Sequence, residues 1–120
     1  MTTRKQLGNT GELIARTHCE RLGWEVIATN WRCELGEIDL IARDGETLVF
    51  IEVRTRRGQH ALQMALNSVD DFKQARLNDV VSAYLTINEL ECPVRVDVLG
   101  IALMPDGLFA VEMVHDALKW

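Results

Sequence analysis

The stretch GEIDLIARDGETLVFIEVRTR, residues 36–56, decides the fold because it predicts two strands joined by a tight turn. Aliphatic residues occupy most of it on both sides of Asp44-Gly45, a dipeptide that favours the positive φ angles of two-residue hairpin turns. We therefore predict a β-hairpin whose strands run over about 37–43 and 47–54.

Three acids, Glu37, Asp39 and Glu52, lie inside these strands, where a buried sheet would normally carry apolar residues. Because every second residue of a strand shares a face, all three are predicted to lie on one face together with Arg54. That face also carries apolar residues nearer the turn: Ile41, Leu48 and Phe50. The opposite face is predicted to be apolar throughout: Ile38, Leu40, Val49, Ile51 and Val53.

Two registers of the hairpin remain open. A two-residue turn at Asp44-Gly45 places Asp39 opposite Phe50, whereas a four-residue loop over DGET places Asp39 opposite Glu52. Either register makes the carboxylates of Asp39 and Glu52 diagonal or direct neighbours, with roughly 5 to 8 Å between their Cβ atoms. Such a pair needs a partner, because opposed like charges destabilise a sheet and burial raises their pKa values.

A divalent cation between the carboxylates would remove this repulsion. Mg²⁺ and Mn²⁺ prefer carboxylate and carbonyl oxygens, keep several waters and often bridge to a phosphate. The alternative is a solvated outer face on which the acids pair with Arg32 and Arg54. Spacing alone does not decide between these two interpretations.

The remainder of the chain predicts one helix before the first three strands and a second helix after them. Asn9 and Glu12 have capping-box spacing at the start of the first helix, and Gly23 ends it. A first strand is expected at about 24–30. The region 56–67 carries mixed signals and is interpreted as a loop, with a short helical turn as an option.

Ser68 and Asp71 are expected to open the second helix, which runs to about residue 88. Two more strands follow, VRVDVLGIAL and LFAVEMV, separated by Asp106-Gly107. The predicted order is helix, three strands, helix, two strands, which is an α/β domain with a mixed five-stranded sheet flanked by helices.

Composition predicts a single domain over residues 1–120, with 48% hydrophobic and 26% charged residues. The sequence shows neither a membrane-length apolar run nor a secretory signal, so we expect a cytoplasmic protein with no membrane partner. The net charge of −5 argues mildly against indiscriminate binding to polyanions. That average conceals a basic run, because Arg54, Arg56 and Arg57 crowd together directly after Glu52.

Several motifs follow one another along nearly the whole chain: Gly11-Glu12, Asn30-x-Arg32, GEIDLI at 36–41, FIEVRTR at 50–56, Lys73 and RVDV at 95–98. In this order they resemble the YraN family of small bacterial proteins, whose cellular role is largely uncharacterised. That family is similar in turn to the restriction-endonuclease-like nucleases of the PD-(D/E)XK type, including Holliday-junction resolvases. The resemblance therefore implies a restriction-endonuclease-like domain.

The resemblance also implies a metal site and its residues. Asp39 and Glu52 would hold Mg²⁺ or Mn²⁺ together with the carbonyl oxygen of Val53, assisted by Glu12 from the first helix. Arg54 stands where these nucleases carry lysine. Because a guanidinium stays charged at any working pH, Arg54 could stabilise charge on a phosphate but could not act as a general base.

The function implied is a metal-dependent endonuclease that acts on or binds DNA, either branched or single-stranded. Arg56, Arg57 and Lys73 would contact the nucleic acid. The arginine at the lysine position keeps an alternative open, a catalytically inactive nucleic-acid-binding or protein-interaction module on the same fold. A homodimer is also compatible, since nucleases that cut two strands often work as dimers.

Structural roles remain open for several of these residues. A capping box already accounts for Glu12, and Lys73 fits the polar side of an amphipathic helix. Asp97, flanked by apolar strand residues, is predicted to be a structural acid that is buried or paired with an arginine. Trp24 and Trp31 are predicted to pack in the core or at its rim rather than to stack on bases.

Overall fold

A computed structural model describes the backbone of residues 3–58 and 60–117, and their side chains except those of residues 71 and 72. Within these residues the chain forms three helices and five strands. In chain order they are α1 (Arg4–Arg21), β1 (Glu25–Cys33), β2 (Gly36–Asp44), β3 (Thr47–Arg57), α2 (Ala61–Asn67), α3 (Asp71–Ile87), β4 (Val94–Leu103) and β5 (Phe109–Val114). No helix among the described residues is long and apolar enough to cross a membrane.

The five strands form one sheet in the order β1-β2-β3-β4-β5. All neighbours are antiparallel except β3 and β4, which run parallel because α2 and α3 connect them. Helix α1 packs on one face of the sheet, and α2 and α3 pack on the other. The predicted mixed α/β fold with a five-stranded sheet is therefore confirmed.

Each face of the sheet carries its own apolar cluster. The face under α3 gathers Ile41, Leu48, Phe50, Leu77, Val80, Val81, Tyr84 and Val96. The face under α1 gathers Ala15, Cys19, Trp24, Leu40, Ala42, Val49, Ile51, Leu99 and Ile101. Trp31 lies edge-on to Tyr84, with 5.1 Å between ring centroids, and Trp24 is buried. Both tryptophans are therefore packing residues, as predicted.

Helix α1 begins six residues before the predicted start, at Arg4. Thr3 caps it, and the side chains of Thr3 and Gln6 form the reciprocal capping box. The predicted capping box of Asn9 and Glu12 is therefore wrong, because both residues lie inside the helix. The carboxylate of Glu12 therefore has no capping role and is available to the site.

Helix α2 occupies a region that was predicted as a loop with, at most, a short helical turn. It is short, and its Leu62 and Leu66 lie directly over Gly100 of β4. A Cβ at Gly100 would come within 3.0 Å of Leu66, so glycine permits this close approach. The helix is thus stabilised by packing against the sheet rather than by a cap, since His60 makes no side-chain capping bond.

The hairpin adopts the second of the two predicted registers. Leu40 pairs with Ile51, and Asp44 pairs with Thr47, so the turn consists of Gly45 and Glu46. Gly45 takes a φ of +60°, which favours glycine. Continuing this register by one residue sets Asp39 opposite Glu52.

The strict alternation predicted for β2 is wrong at Ile38. Ile38 packs with Ile41, Phe50 and α3, although Leu40 packs on the α1 face. The alternation of side chains between the two faces of the sheet is therefore interrupted between Ile38 and Ile41, and we call this interruption a change of phase. Asp39 lies at this irregularity, one residue beyond Leu40, where the ladder with β3 ends.

Asp97 confirms its predicted structural role. Its carboxylate is fully buried on β4 and accepts hydrogen bonds from Arg95, at 2.9 and 3.2 Å, and from the backbone N–H of Asp116 at 2.8 Å. His115 Nδ1 lies 2.9 Å from the same carboxylate. These contacts fasten the segment after β5 to the sheet, away from the acids of the hairpin.

Two helical glycines give a matched test of the α1–sheet contact. A Cβ at Gly11 would overlap Thr55 Oγ1 of β3, whereas a Cβ at Gly8 would meet nothing. We expect Gly11→Ala to lower the free energy of unfolding by about 1–3 kcal/mol through overpacking. Gly8→Ala should raise it by up to about 1 kcal/mol through helix propensity. Urea unfolding measures both, and equal gains would mean that α1 does not approach β3 this closely.

Candidate functional site

Asp39 and Glu52 meet where the pairing of β2 and β3 ends. Asp39 Oδ2 accepts the backbone N–H of Val53 at 2.8 Å, so its side chain bonds β3 just beyond the last paired residues. A side-chain hydrogen bond joins the Asp39 and Glu52 carboxyl groups. The side chain of Glu52 is only 10% exposed. The structure thus places the two carboxylates predicted as metal ligands together, with Glu52 buried and Asp39 partly buried.

This proximity changes the acidity of both groups. Burial raises the pKa of Glu52 to about 8, with a further contribution from the negative charge of Asp39 and an opposing one from Arg54. Burial likewise raises the pKa of Asp39, which the hydrogen bond from the Val53 N–H partly offsets. The pair therefore retains one proton near neutral pH and differs from a solvated acidic face.

Arg54 is bound to one member of the pair. Its Nη2 lies 2.9 Å from Glu52 Oε1, and its side chain is 21% exposed. Its Nε is buried and makes no hydrogen bond within the described part of the chain. Glu37, by contrast, pairs with Arg32 at 2.9 Å and is half exposed, so it matches the solvated alternative.

A large cavity of about 660 Å³ opens beside the pair, between α1 and β3. Four arginines line it: Arg4, Arg54, Arg56 and Arg57. Two acids, Asp39 and Glu12, line it as well, together with Val53. The predicted contacts Arg56 and Arg57 therefore share a cavity with the metal-ligand candidate Asp39, although both belong to β3 itself and not to a following loop.

A smaller cavity of about 220 Å³ lies on the α3 side of the sheet. Glu52 and Arg54 line it from β3, and Lys73 and Arg76 line it from α3. Lys73 is thus brought near Glu52 but not into the cavity that contains Arg56 and Arg57. Because Arg54 lines both cavities, it stands in the wall between them.

Glu12 lies beside Asp39 and is contacted by Asn30. Asn30 Nδ2 donates to Glu12 Oε2 at 3.4 Å, and these residues share a third cavity with Asp39. Asn30 lies in β1 with a φ of +51°, a conformation that asparagine tolerates better than most residues. The left-handed backbone thus directs this amide to the glutamate of α1.

Sequence reasoning missed Arg4, Asn30 and Arg76 as site residues. Arg4 had a detectable signal, since it precedes Gly8 by one helical turn and Glu12 by two, and such spacing shares a helix face. Recognising Thr3 and Gln6 as the capping box would have started the helix early enough to show it. The φ of Asn30 had no equivalent signal in the sequence.

Among residues 3–58 and 60–117, no three His, Cys, Asp or Glu side chains form a group suited to hold a metal ion. Asp39 and Glu52 alone are compatible with Mg²⁺ or Mn²⁺, which are commonly held by one or two carboxylates, with water and substrate phosphate completing the shell. Their proximity marks the position where such a cation would relieve the repulsion between the two carboxylates. The donors present therefore fit a hard cation with an incomplete protein shell.

The fold and the site define an α/β domain with a pair of carboxyl groups where the pairing of two adjacent strands ends, beside an arginine-lined cavity. The family model of the uncharacterised protein family UPF0102 matches residues 11–101, and the chain belongs to this family. This is the family to which the YraN resemblance pointed.

The relatives cover nearly the whole chain. A UPF0102 protein of Chloroflexus aurantiacus is 42% identical over 114 residues, covering 95% of this chain and 92% of its own length. One from Roseiflexus castenholzii is 44% identical over 112 residues, covering 92% and 87%. One from Ectopseudomonas mendocina is 39% identical over 119 residues, covering 98% of each chain.

The raised pKa of Glu52 predicts a pH dependence of stability. The folded protein keeps a proton that the unfolded chain releases above about pH 4.5, so this stabilisation is complete below pH 4.5 and lost as the pH rises through about 8. In the presence of a chelator, the free energy of unfolding should therefore fall across this window. Glu52→Gln should flatten the fall, whereas the exposed Glu112→Gln should not. Identical pH profiles for all three proteins would contradict the shift.

Proposed function

We propose that this protein is a metal-dependent phosphodiesterase of the restriction-endonuclease-like type, which cleaves DNA. The observation that carries the proposal is the close pair of Asp39 and Glu52, in which Glu52 is buried and Asp39 also lines a cavity with four arginines. Buried carboxylates are costly, and the adjacent cations are suited to a phosphate backbone. The two features together favour a polyanionic substrate that reaches the acids.

The carboxyl pair would hold the cation, with the Val53 carbonyl oxygen as a further donor. A bound Mg²⁺ or Mn²⁺ would supply Lewis acidity toward water and phosphate oxygens there. The Asp39 carboxylate is oriented for this role by the Val53 N–H at 2.8 Å. Glu12, positioned by Asn30, adds an acceptor beside Asp39.

The arginines would bind and orient the phosphate backbone. Arg4, Arg56 and Arg57 line the same cavity as Asp39, so a phosphate bound by them lies next to the acids. Arg54 is nearest to the pair, and its permanent charge suits it to stabilise negative charge that develops on the phosphate. Lys73, in the smaller cavity, would meet the backbone on the α3 side.

A second candidate function is that of a DNA-binding or protein-interaction module without catalytic activity. The ion pair between Arg54 and Glu52 favours it, because the arginine engages an acid that the cation would need. The absence of lysine at this position also favours the second candidate, because a guanidinium cannot act as a general base. A DNA-binding module would keep the role of the arginines and lose that of the acids.

Asp39→Asn separates the two candidates. The asparagine side chain can still accept the Val53 N–H and donate to Glu52, so stability without metal should be kept or raised. Mn²⁺ should stabilise the parent by RT ln(1 + [L]/Kd), about 2.7 kcal/mol at a concentration of 100 times Kd, and should not stabilise the variant. Cleavage of branched and single-stranded DNA should be lost. Thermal melts with and without Mn²⁺ and a nicking assay measure these effects.

The matched control is Glu37→Gln, which removes one charge from β2 at a half-exposed ion pair. It should keep both the Mn²⁺ response and the cleavage. If Asp39→Asn melts several degrees lower without metal and responds to Mn²⁺ like the parent, Asp39 is a structural residue and the nuclease proposal fails. DNA binding without cleavage by the parent would favour the second candidate.

A further inference from the structure

Arg54 makes an unusual contact for a residue expected to act on phosphate. Its guanidinium is bound to Glu52 at 2.9 Å, and only 21% of the arginine side chain and 10% of the glutamate side chain are exposed. The Nε of Arg54 is buried and lacks a hydrogen-bond partner among the described residues. The guanidinium is therefore held from one side, by the acid, with part of its donor capacity unused.

Arg56 provides the contrast within the same strand. It lies two residues further along β3 and lines the same large cavity, but its Nη1 donates to the carbonyl oxygen of Thr55 at 2.8 Å. Arg54 also lines the smaller cavity, on the α3 side, which Arg56 does not. The two arginines thus differ in contact with the acid pair and not in charge or strand.

A cation at the acid pair would conflict with the present position of Arg54. The guanidinium occupies one oxygen of Glu52 at contact distance, and a second positive charge on that carboxylate would lie close to it. Two positive charges at such a separation repel strongly where water is largely excluded. One of them must leave, and the cavity on the α1 side already borders Arg54.

We infer that Arg54 is a tethered cation that occupies the Asp39–Glu52 site until a divalent metal displaces it toward the arginine-lined cavity. This inference rests on the proposed function, since it takes the carboxyl pair as the metal site. A permanent charge at this position neutralises the acids without metal and reaches phosphate with metal.

If metal displaces Arg54, then metal binding and phosphate binding strengthen each other. Metal releases Arg54 to join Arg4, Arg56 and Arg57, so a bound metal should strengthen the binding of a phosphate ligand. By linkage, the ligand should strengthen metal binding by the same factor. Bridging of phosphate by the metal itself would add to this coupling, and removal of Arg54 isolates the contribution of the arginine.

The test is calorimetric titration of Mn²⁺ into the parent, Arg54→Gln and Arg56→Gln. Each variant removes one positive charge from β3, but only the first removes the competitor at Glu52. We expect Arg54→Gln to bind Mn²⁺ about tenfold or more tightly than the parent, and Arg56→Gln to change the affinity by less than about threefold. Metal-free melts should show the larger loss of stability for Arg54→Gln, and Mn²⁺ should restore it.

Equal or weaker Mn²⁺ binding by Arg54→Gln than by Arg56→Gln would overturn the inference and leave the metal site intact. Absence of Mn²⁺ binding in all three proteins would instead overturn the proposed function, and the inference with it. Should Arg54→Gln not fold, Arg54→Met keeps the aliphatic stem in the cavity wall and supplies the same comparison with Arg56→Gln.

Discussion

The hydrogen bond from the Val53 N–H to the Asp39 carboxylate is the interaction on which the site depends. It forms just beyond the paired part of β2 and β3, so a side chain replaces the next rung of the ladder. Because Asp39 is directed at β3, it comes within hydrogen-bonding distance of Glu52. A structural irregularity thereby produces a buried pair of acids, and the change of phase at Ile38 belongs to the same irregularity.

The surrounding elements bring cations and a third acid to this pair. The absence of a side chain at Gly11 lets α1 approach Thr55 closely, and this approach brings Arg4 and Glu12 of the same helix to the cavity beside Asp39. Strand β3 adds arginines to the same cavity and Arg54 to the wall between the two cavities. Charges of both signs are therefore concentrated on one part of the sheet, apart from the two apolar clusters.

Much of the fold could be predicted from the sequence, because the hairpin, the strands after Pro93 and the amphipathic second helix follow local rules. The proximity of Asp39 and Glu52 was predicted from the hairpin register, although the strict alternation predicted for β2 failed at Ile38. Helix α2 could not be predicted, because its stability comes from packing over Gly100. The change of phase at Ile38 and the left-handed Asn30 were equally hidden, since both depend on contacts between distant segments.

The central claim is that Asp39 and Glu52 together form a cation site. Diffraction from crystals soaked in Mn²⁺, with data collected at the manganese absorption edge, tests it most directly. The account predicts one anomalous peak bound by both carboxylates and the Val53 carbonyl oxygen, with Arg54 turned away from Glu52. Crystals saturated with Mn²⁺ that show no peak there, and Arg54 still bound to Glu52, would contradict it.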